Sequence, residues 1–337
     1  MSERAIADPD VEALIREVMR PGLTDGAIWS ALVDTGLARM ATPEDIGGGG
    51  SALPAVLALL DAAGHAGSSV PLAEHDLLAG RLLRRSVDDR LRTVAHVDAG
   101  GSAQGVPLVD EVEILVALRR GPQGLVEITE VPIALCTVSD LQSVAGERRP
   151  TLVIPDGWDS WLAETTPDLL HAVHLLTAWS RCAKVVGAME RVLELCVEHT
   201  TTRSQFGRPI ARFQAVQVLV ADVATSLAVS RASTEAAMLR LAGADGPALA
   251  AAALDAEFEI AAACSVVGHA ASVVVRNAHQ VHGALGTTSE HALQRHTRQI
   301  LGWRSECGSI RDWDRVVHRL TVAAGGNWQR IAPAVPY

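Results

Sequence analysis

The chain has 337 residues, 48% of them hydrophobic, which is enough for more than one domain with a substantial core. Its formal charge of −10 is spread along the sequence, which argues against a nucleic-acid-binding protein. The five cysteines form no metal-binding pattern and the N-terminus lacks the features of a signal peptide, so we expect reduced thiols, no metal site and a cytoplasmic location.

Residues 1–90 predict a domain of short helices. Apolar residues recur there at three- and four-residue spacing, which is typical of helices with one buried face. The predicted helices are 10–19, 27–35, 53–65 and 72–84.

Residues 91–165 predict a small, mostly antiparallel β-domain. The apolar spacing shifts towards two, and turns rich in Gly, Pro and Asp separate the runs. The predicted strands are 92–97, 112–118, 125–131 and 151–154.

Residues 166–337 predict an antiparallel helical bundle, because the helical spacing returns in long segments joined by short loops. The predicted helices are 169–200, 213–242, 247–282, 289–301 and 310–323. The most apolar stretch, 248–275, is interrupted by Asp255, Glu257, Glu259 and His269, so we expect no membrane span. The predicted fold class is therefore mainly α with a small β-domain.

The segment Arg203-Ser-Gln-Phe-Gly-Arg-Pro-Ile-Ala-Arg-Phe-Gln214 carries groups suited to a flat, phosphorylated ligand. The Arg203 guanidinium matches a diphosphate, and Gln205 can donate to phosphate or ribose. Phe206 offers an aromatic face, and Gln214 adds a second amide. The alternative is a plain helix start, with a solvated arginine and a phenylalanine in the core.

A second run, Gln280-Val-His-Gly-Ala-Leu-Gly286, could lie against the same ligand. Gln280 can hydrogen-bond to it, while Gly283 and Gly286 allow the backbone to approach closely. The alternative is that these glycines only terminate a helix.

The first run closely resembles the Arg-x-x-Phe-Gly-x-x-Ile-x-x-Phe-Gln signature of the acyl-CoA dehydrogenase family, and the second run follows at about the family's separation. The segment Thr42-Pro-Glu-Asp-Ile-Gly-Gly-Gly-Gly-Ser51 is similar to the family's Pro-Glu-x-x-Gly-Gly segment. The order of helical domain, β-domain and four-helix bundle is also that of the family. The resemblance implies FAD held between subunits, an acyl-CoA substrate, an oligomer and an electron-accepting flavoprotein.

The family often carries its catalytic base in a Glu-Gly-Thr step, which here falls on Cys307-Gly308-Ser309. Glu306, one residue earlier, is the candidate base that the resemblance implies. The alternative is a surface glutamate paired with Arg304 or Arg298. Two further carboxylates, Glu235 and Asp245, match a second family position poorly.

Two functions follow from the resemblance. One is an FAD-dependent acyl-CoA dehydrogenase that forms an α,β-enoyl thioester, with Glu306 removing the α-proton as a hydride leaves for flavin N5. The other is a non-catalytic subunit that completes the FAD site of a catalytic partner, similar to the reduced chains of heteromeric dehydrogenases in bacterial steroid degradation. The β-domain lacks the family's Thr-Glu-Pro-type segment and Ile-Thr-Asn/Ser strand, which contact the flavin ring. A helical binding module without flavin is a third alternative.

Overall fold

The computed structural model describes residues 8–86, 88–121, 125–139, 141–155, 162–164, 168–288 and 290–325. The first part is helical, as the apolar spacing predicts: α1 (Pro9–Val18), α2 (Asp25–Asp34), α3 (Leu53–Ala66) and a π-helical segment (Ala73–Leu82). The side chain of Thr24 caps α2 by accepting from the N–H of Ala27 at 3.3 Å.

The described residues of the middle part form seven strands: β1 (Leu91–Val97), β2 (Ser102–Ala103), β3 (Val112–Arg120), β4 (Val126–Pro132), β5 (Thr137–Ser139), β6 (Thr151–Val153) and β7 (Leu162–Glu164). They make two sheets, of order β1-β3-β4-β7 and β2-β6-β5. β1 pairs with β3 in parallel and the other pairs are antiparallel, which confirms the mostly antiparallel prediction.

The last part contains α4 (Leu169–Thr202), the short strands β8 (Ser204–Gln205) and β9 (Arg208–Pro209), α5 (Gln214–Leu241), α6 (Gly246–Asp255), α7 (Glu257–His282), α8 (Leu293–Trp303) and α9 (Ile310–Ala323). The single helix predicted over 247–282 is wrong, because the chain breaks at Ala256 (φ −91°, ψ 11°). Glu257 and Glu259 then begin α7, where the helix dipole favours negative charge. The predicted start of α8 at Ser289 lies outside the described residues, and α8 begins at Leu293.

Two glycines fix how the N-terminal helices sit on the bundle. A Cβ built on Gly64 of α3 would lie 1.9 Å from the Lys184 carbonyl oxygen of α4, and one on Gly187 of α4 would lie 1.8 Å from the Asp61 carbonyl oxygen of α3. Backbones this close exclude any side chain at either position. The contact holds α3 against the middle of α4.

Helix α5 leaves a large part of its surface uncovered. Three apolar side chains on it, Val218, Val229 and Leu239, are exposed by 52%, 50% and 61%. By length and composition alone, α5 and the stretch Glu257–Thr287 could each cross a membrane, contrary to the expectation from the sequence. The core helix of a globular protein passes the same test.

Candidate functional site

The first predicted motif forms an exposed hairpin at the end of α4. Strands β8 and β9 pair Gln205 with Arg208, and the turn between them needs positive φ at Phe206 (50°) and Gly207 (79°). Phe206 is 90% exposed at the tip, and its ring packs edge-on to that of Phe213 with the centroids 6.1 Å apart. The alternative of a core phenylalanine is therefore wrong, because the ring is presented to solvent.

Arg203 is fixed by its backbone while its side chain is free. Its N–H donates to the carbonyl of His199 and its own carbonyl accepts from the N–H of Ile210, both at 2.9 Å. Within the described part of the chain, nothing pairs with its exposed guanidinium. Gln214, the first residue of α5, is also exposed. An anchored cation without a partner beside exposed amides suits an anionic ligand.

The second predicted motif lies at the end of α7. Gln280 is exposed in the last turn, and Gly283 ends the helix with φ 60° and ψ −144°. A Cβ on Gly283 would meet open space, whereas one on Gly286 would lie 2.8 Å from the Leu293 side chain. Packing thus accounts for Gly286, while Gly283 leaves a bare backbone at the surface.

The fold brings the two motifs to the same end of the bundle. The rings of His199 on α4 and His282 on α7 stack with centroids 4.5 Å apart, and His291 packs edge-on to His282 at 4.9 Å. In the sequence, Arg203 follows His199 by four residues and Gln280 precedes His282 by two, so both motifs lie next to the stack. The site, which we call the anion end, is formed by Arg203, Gln205, Phe206, Gln214, Gln280, Gly283 and the three histidines. Its donors and exposed ring fit the diphosphate and an aromatic ring of FAD, and they include no group for the isoalloxazine.

Glu306 lies elsewhere, in a buried ionic centre. One carboxylate oxygen accepts from Arg149 Nη2 at 2.6 Å and the other from Arg181 Nε at 2.5 Å. Arg181 also binds Glu74 of the π-helical segment, and Arg149 binds Glu147 at 2.7 Å. This centre joins the helical, β and bundle parts of the chain.

The alternative of a surface glutamate paired with Arg304 or Arg298 is wrong. Arg304 donates to the carbonyl of Gly268 and to Ser272, and Arg298 donates to the carbonyl of Val144. The Glu306 side chain is only 19% exposed. It is held by two other arginines, which the sequence did not single out.

Burial and charge act together on this centre. Burial alone would raise the pKa of Glu74, but Arg181 lowers it below the ordinary value. Burial would lower the pKa of Arg181, but Glu74 and Glu306 raise it well above the usual range. Burial lowers the pKa of Lys184, which lies 4.2 Å above the Trp303 ring. The carboxylates of Glu74 and Glu306 are therefore paired with arginines, and both oxygens of Glu306 accept hydrogen bonds from them.

Little space is left around this centre. A cavity of about 10 Å³, the room of a single water molecule, lies between Arg181, Cys307 and Trp313. Burial raises the pKa of the Cys307 thiol to about 12, as a structural cysteine requires. Trp303 fills the neighbouring volume and donates to Glu147 at 2.9 Å. The cavity has no room for an acyl chain, while the base assignment of Glu306 itself stays a prediction.

Sequence reasoning missed most of the ionic centre and two members of the histidine stack. Glu74 and Glu306 lie 107 and 125 residues from Arg181, so no local spacing connects them. His199 stands four residues before Arg203, and this short spacing on a helix was the one available signal.

Residues 176–310 match the family model of the acyl-CoA dehydrogenase C-terminal domain. The chain is 26% identical over 322 residues to acyl-CoA dehydrogenase FadE27 of Mycobacterium tuberculosis, covering 81% of this chain and 82% of that one. It is 26% identical over 304 residues to acyl-CoA dehydrogenase IpdE2 of Mycolicibacterium smegmatis, covering 86% of each. A chain of the ChsE4-ChsE5 complex from Mycobacterium tuberculosis superposes with a TM-score of 0.78 at 22% identity, covering 93% of this chain and 95% of that one.

Proposed function

This chain is a member of the acyl-CoA dehydrogenase family, and on that premise we propose that it is a subunit which completes the FAD site of a catalytic partner chain. The observation that carries the proposal is the contrast between its two candidate sites. The anion end has an unpaired arginine and an exposed aromatic ring, whereas the ionic centre is closed.

At the anion end, Arg203 would hold the FAD diphosphate through paired N–H donors. Gln205, Gln214 and Gln280 would donate to phosphate or ribose oxygens, and Phe206 would stack on a flat ring. The flavin, when bound, supplies the hydride acceptor of the dehydrogenation. All of these groups face outward from the chain, so a second subunit can cover them.

The α-proton of an acyl-CoA substrate needs a carboxylate with a free oxygen directed at it. Both oxygens of Glu306 accept from arginines at 2.5–2.6 Å, and the adjoining cavity holds about 10 Å³. These two facts favour a base supplied by the partner chain. They also favour an acyl group bound in the partner.

The ChsE4-ChsE5 complex is a solved complex of two differently named chains, which supports a hetero-oligomer here. The uncovered apolar side chains of α5 also favour a covering subunit. A soluble electron-accepting flavoprotein would then reoxidise the assembly in the cytoplasm.

The proposal is tested by flavin content after gel filtration, for the chain alone and for the chain co-expressed with a full-length acyl-CoA dehydrogenase chain from the same organism. We expect the chain alone to be colourless and the assembly to be yellow. Arg203→Ala in the assembly should lose most of the flavin, because the charge-assisted contacts to the diphosphate are removed. Arg311→Ala, an exposed arginine on α9, is the matched control and should retain it.

The result that contradicts the proposal is a yellow chain alone that is bleached by an acyl-CoA. That result would favour the self-sufficient dehydrogenase with Glu306 as its base. Equal flavin content in wild type and Arg203→Ala would instead remove the assignment of the anion end.

A further inference from the structure

We propose that the stacked histidines of the anion end, His199, His282 and His291, take up a proton when the diphosphate binds, so that ligand affinity is coupled to pH. The inference rests on the proposed function and deepens it, because it concerns the same site. The step is an acid-base equilibrium: one imidazole gains a proton from solvent, and no bond of the ligand breaks.

The first argument is a buried nitrogen without a partner. His282 is 5% exposed, and its Nδ1 lies 2.8 Å from the carbonyl oxygen of Ala278. Because a carbonyl only accepts, the proton of the neutral ring sits on Nδ1. Nε2 then carries a lone pair, and it is buried with no hydrogen-bond partner among the described residues. A buried lone pair of this kind is costly unless a proton or a donor reaches it.

The second argument is that the surroundings are prepared for the protonated ring. The carbonyls of Ala278 on α7 and Leu195 on α4 both raise the pKa of His282. His282 is also the last residue of α7, where the helix dipole favours a cation. Burial, and the charges of His199 and His291, outweigh these effects and hold the pKa of His282 below its ordinary value.

The third argument is that no carboxylate balances the stack. Burial, then His291 and Arg203, lower the pKa of His199. The carboxylates nearest in sequence, Glu198 and Glu290, are exposed, and neither forms an ion pair with a ring in the part of the chain that the structure describes.

The remaining neighbour, His279, is turned towards Thr297 of α8, with its Nε2 3.0 Å from Oγ1. The charges that face the stack are thus those of an arginine and of the imidazoles themselves. A bound diphosphate would supply the missing negative charge and would raise the pKa of the rings.

The sign of the coupling follows from these directions. Free rings have a lowered pKa and ligand-bound rings a raised one, so the complex binds more protons than the free protein does between the two pKa values. Affinity is constant below the free pKa, falls as the pH rises towards the bound pKa, and is constant again above it. With one proton taken up, the loss within that window reaches about tenfold in Kd per pH unit.

The test is calorimetric titration of the flavin-free assembly of this chain and its partner chain with ADP-ribose and with FAD from pH 5 to 8, in buffers of different ionisation enthalpy. Both probes carry an internal diphosphate with no proton to lose near neutral pH, so any net uptake belongs to the protein. We expect uptake of up to one proton in the wild type. His282→Gln and the partly exposed His199→Gln should flatten the pH profile, and His318→Gln on the exposed face of α9 should not.

Two outcomes would overturn the inference: binding without proton uptake in the wild type, or the same uptake in both stack variants as in the wild type. Either leaves the proposed function intact. Failure of both probes to bind, with Arg203→Ala indistinguishable from wild type, would overturn the anion end altogether. His282 is buried, so His282→Gln could misfold, whereas the ring of His199 is not part of the core and His199→Gln should fold. The second variant therefore keeps the test valid if the first one fails to fold.

Discussion

Glu306→Gln separates a structural role of this carboxylate from a catalytic one. The wild-type carboxylate accepts from two guanidinium groups at 2.5–2.6 Å and is largely buried. The substitution keeps the shape but removes the negative charge, and it turns an NH₂ group towards an arginine. Arg181 keeps Glu74 and Arg149 keeps Glu147, so neither cation is left without a carboxylate.

The expected cost follows from these contacts. Hydrogen bonds to charged groups contribute about 1.5–3 kcal/mol each and neutral ones about 1 kcal/mol, so losing the charge on two such bonds should lower the free energy of unfolding by about 1–4 kcal/mol. An unfolding entropy of about 2.1 cal/mol/K per residue over 337 residues converts this into a fall in Tm of about 1–6 °C.

The assay is thermal unfolding together with the acyl-CoA-dependent reduction rate of the assembled enzyme. Glu17→Gln is the control, since it removes an exposed ion pair with Arg20 and should change the stability by less than about 0.5 kcal/mol. We expect a lower Tm for Glu306→Gln with an unchanged rate at a permissive temperature. An unchanged Tm would refute the reasoning from the contacts, and a ~10²–10⁴-fold loss of rate would identify Glu306 as the base.

Three further expectations can be measured separately. Gln280→Ala should weaken FAD retention less than Arg203→Ala, because a hydrogen bond from a neutral amide contributes less than the paired, charge-assisted bonds of a guanidinium group. Equal losses of flavin in the two variants, measured by absorbance, would contradict this. Burial raises the pKa of Asp61 from 3.8 to about 6, so ionisation of Asp61 costs stability increasingly as the pH rises from about 4 to about 6, and fully above that. Asp61→Asn should therefore gain about 1–2 kcal/mol at pH 8 and less at pH 5 in urea unfolding, and an equal gain at both pH values would contradict this. Light scattering should show an oligomer, because the exposed apolar side chains of α5 favour a covering subunit. A stable FAD-loaded monomer would contradict this prediction.

The sequence by itself determined most of the helices and the longer strands, and it pointed to the two motifs of the anion end. Apolar spacing predicted α9 over Ile310–Ala323 to the residue and β1, β3, β4 and β6 to within two residues, because burial of one face sets the period of each element, whereas the short strands β2, β5 and β7 were missed. It also predicted Arg203 and Phe206 as ligand-binding residues, since a short segment holds both. The break at Ala256 escaped prediction because alanine favours helix wherever packing allows it.

Only the tertiary structure decided which groups Glu306 contacts and that His199, His282 and His291 stack together. An ion pair depends on distance in space, and Glu306 meets its arginine partners across 125 and 157 residues of sequence. The π-helical segment brings Glu74 to Arg181 as well, while Arg149 and Arg181 occupy both carboxylate oxygens of Glu306. In the same way, the packing of α4 against α7 stacks the ring of His199 on that of His282, and this contact cannot be predicted from the spacing of the two residues in the sequence.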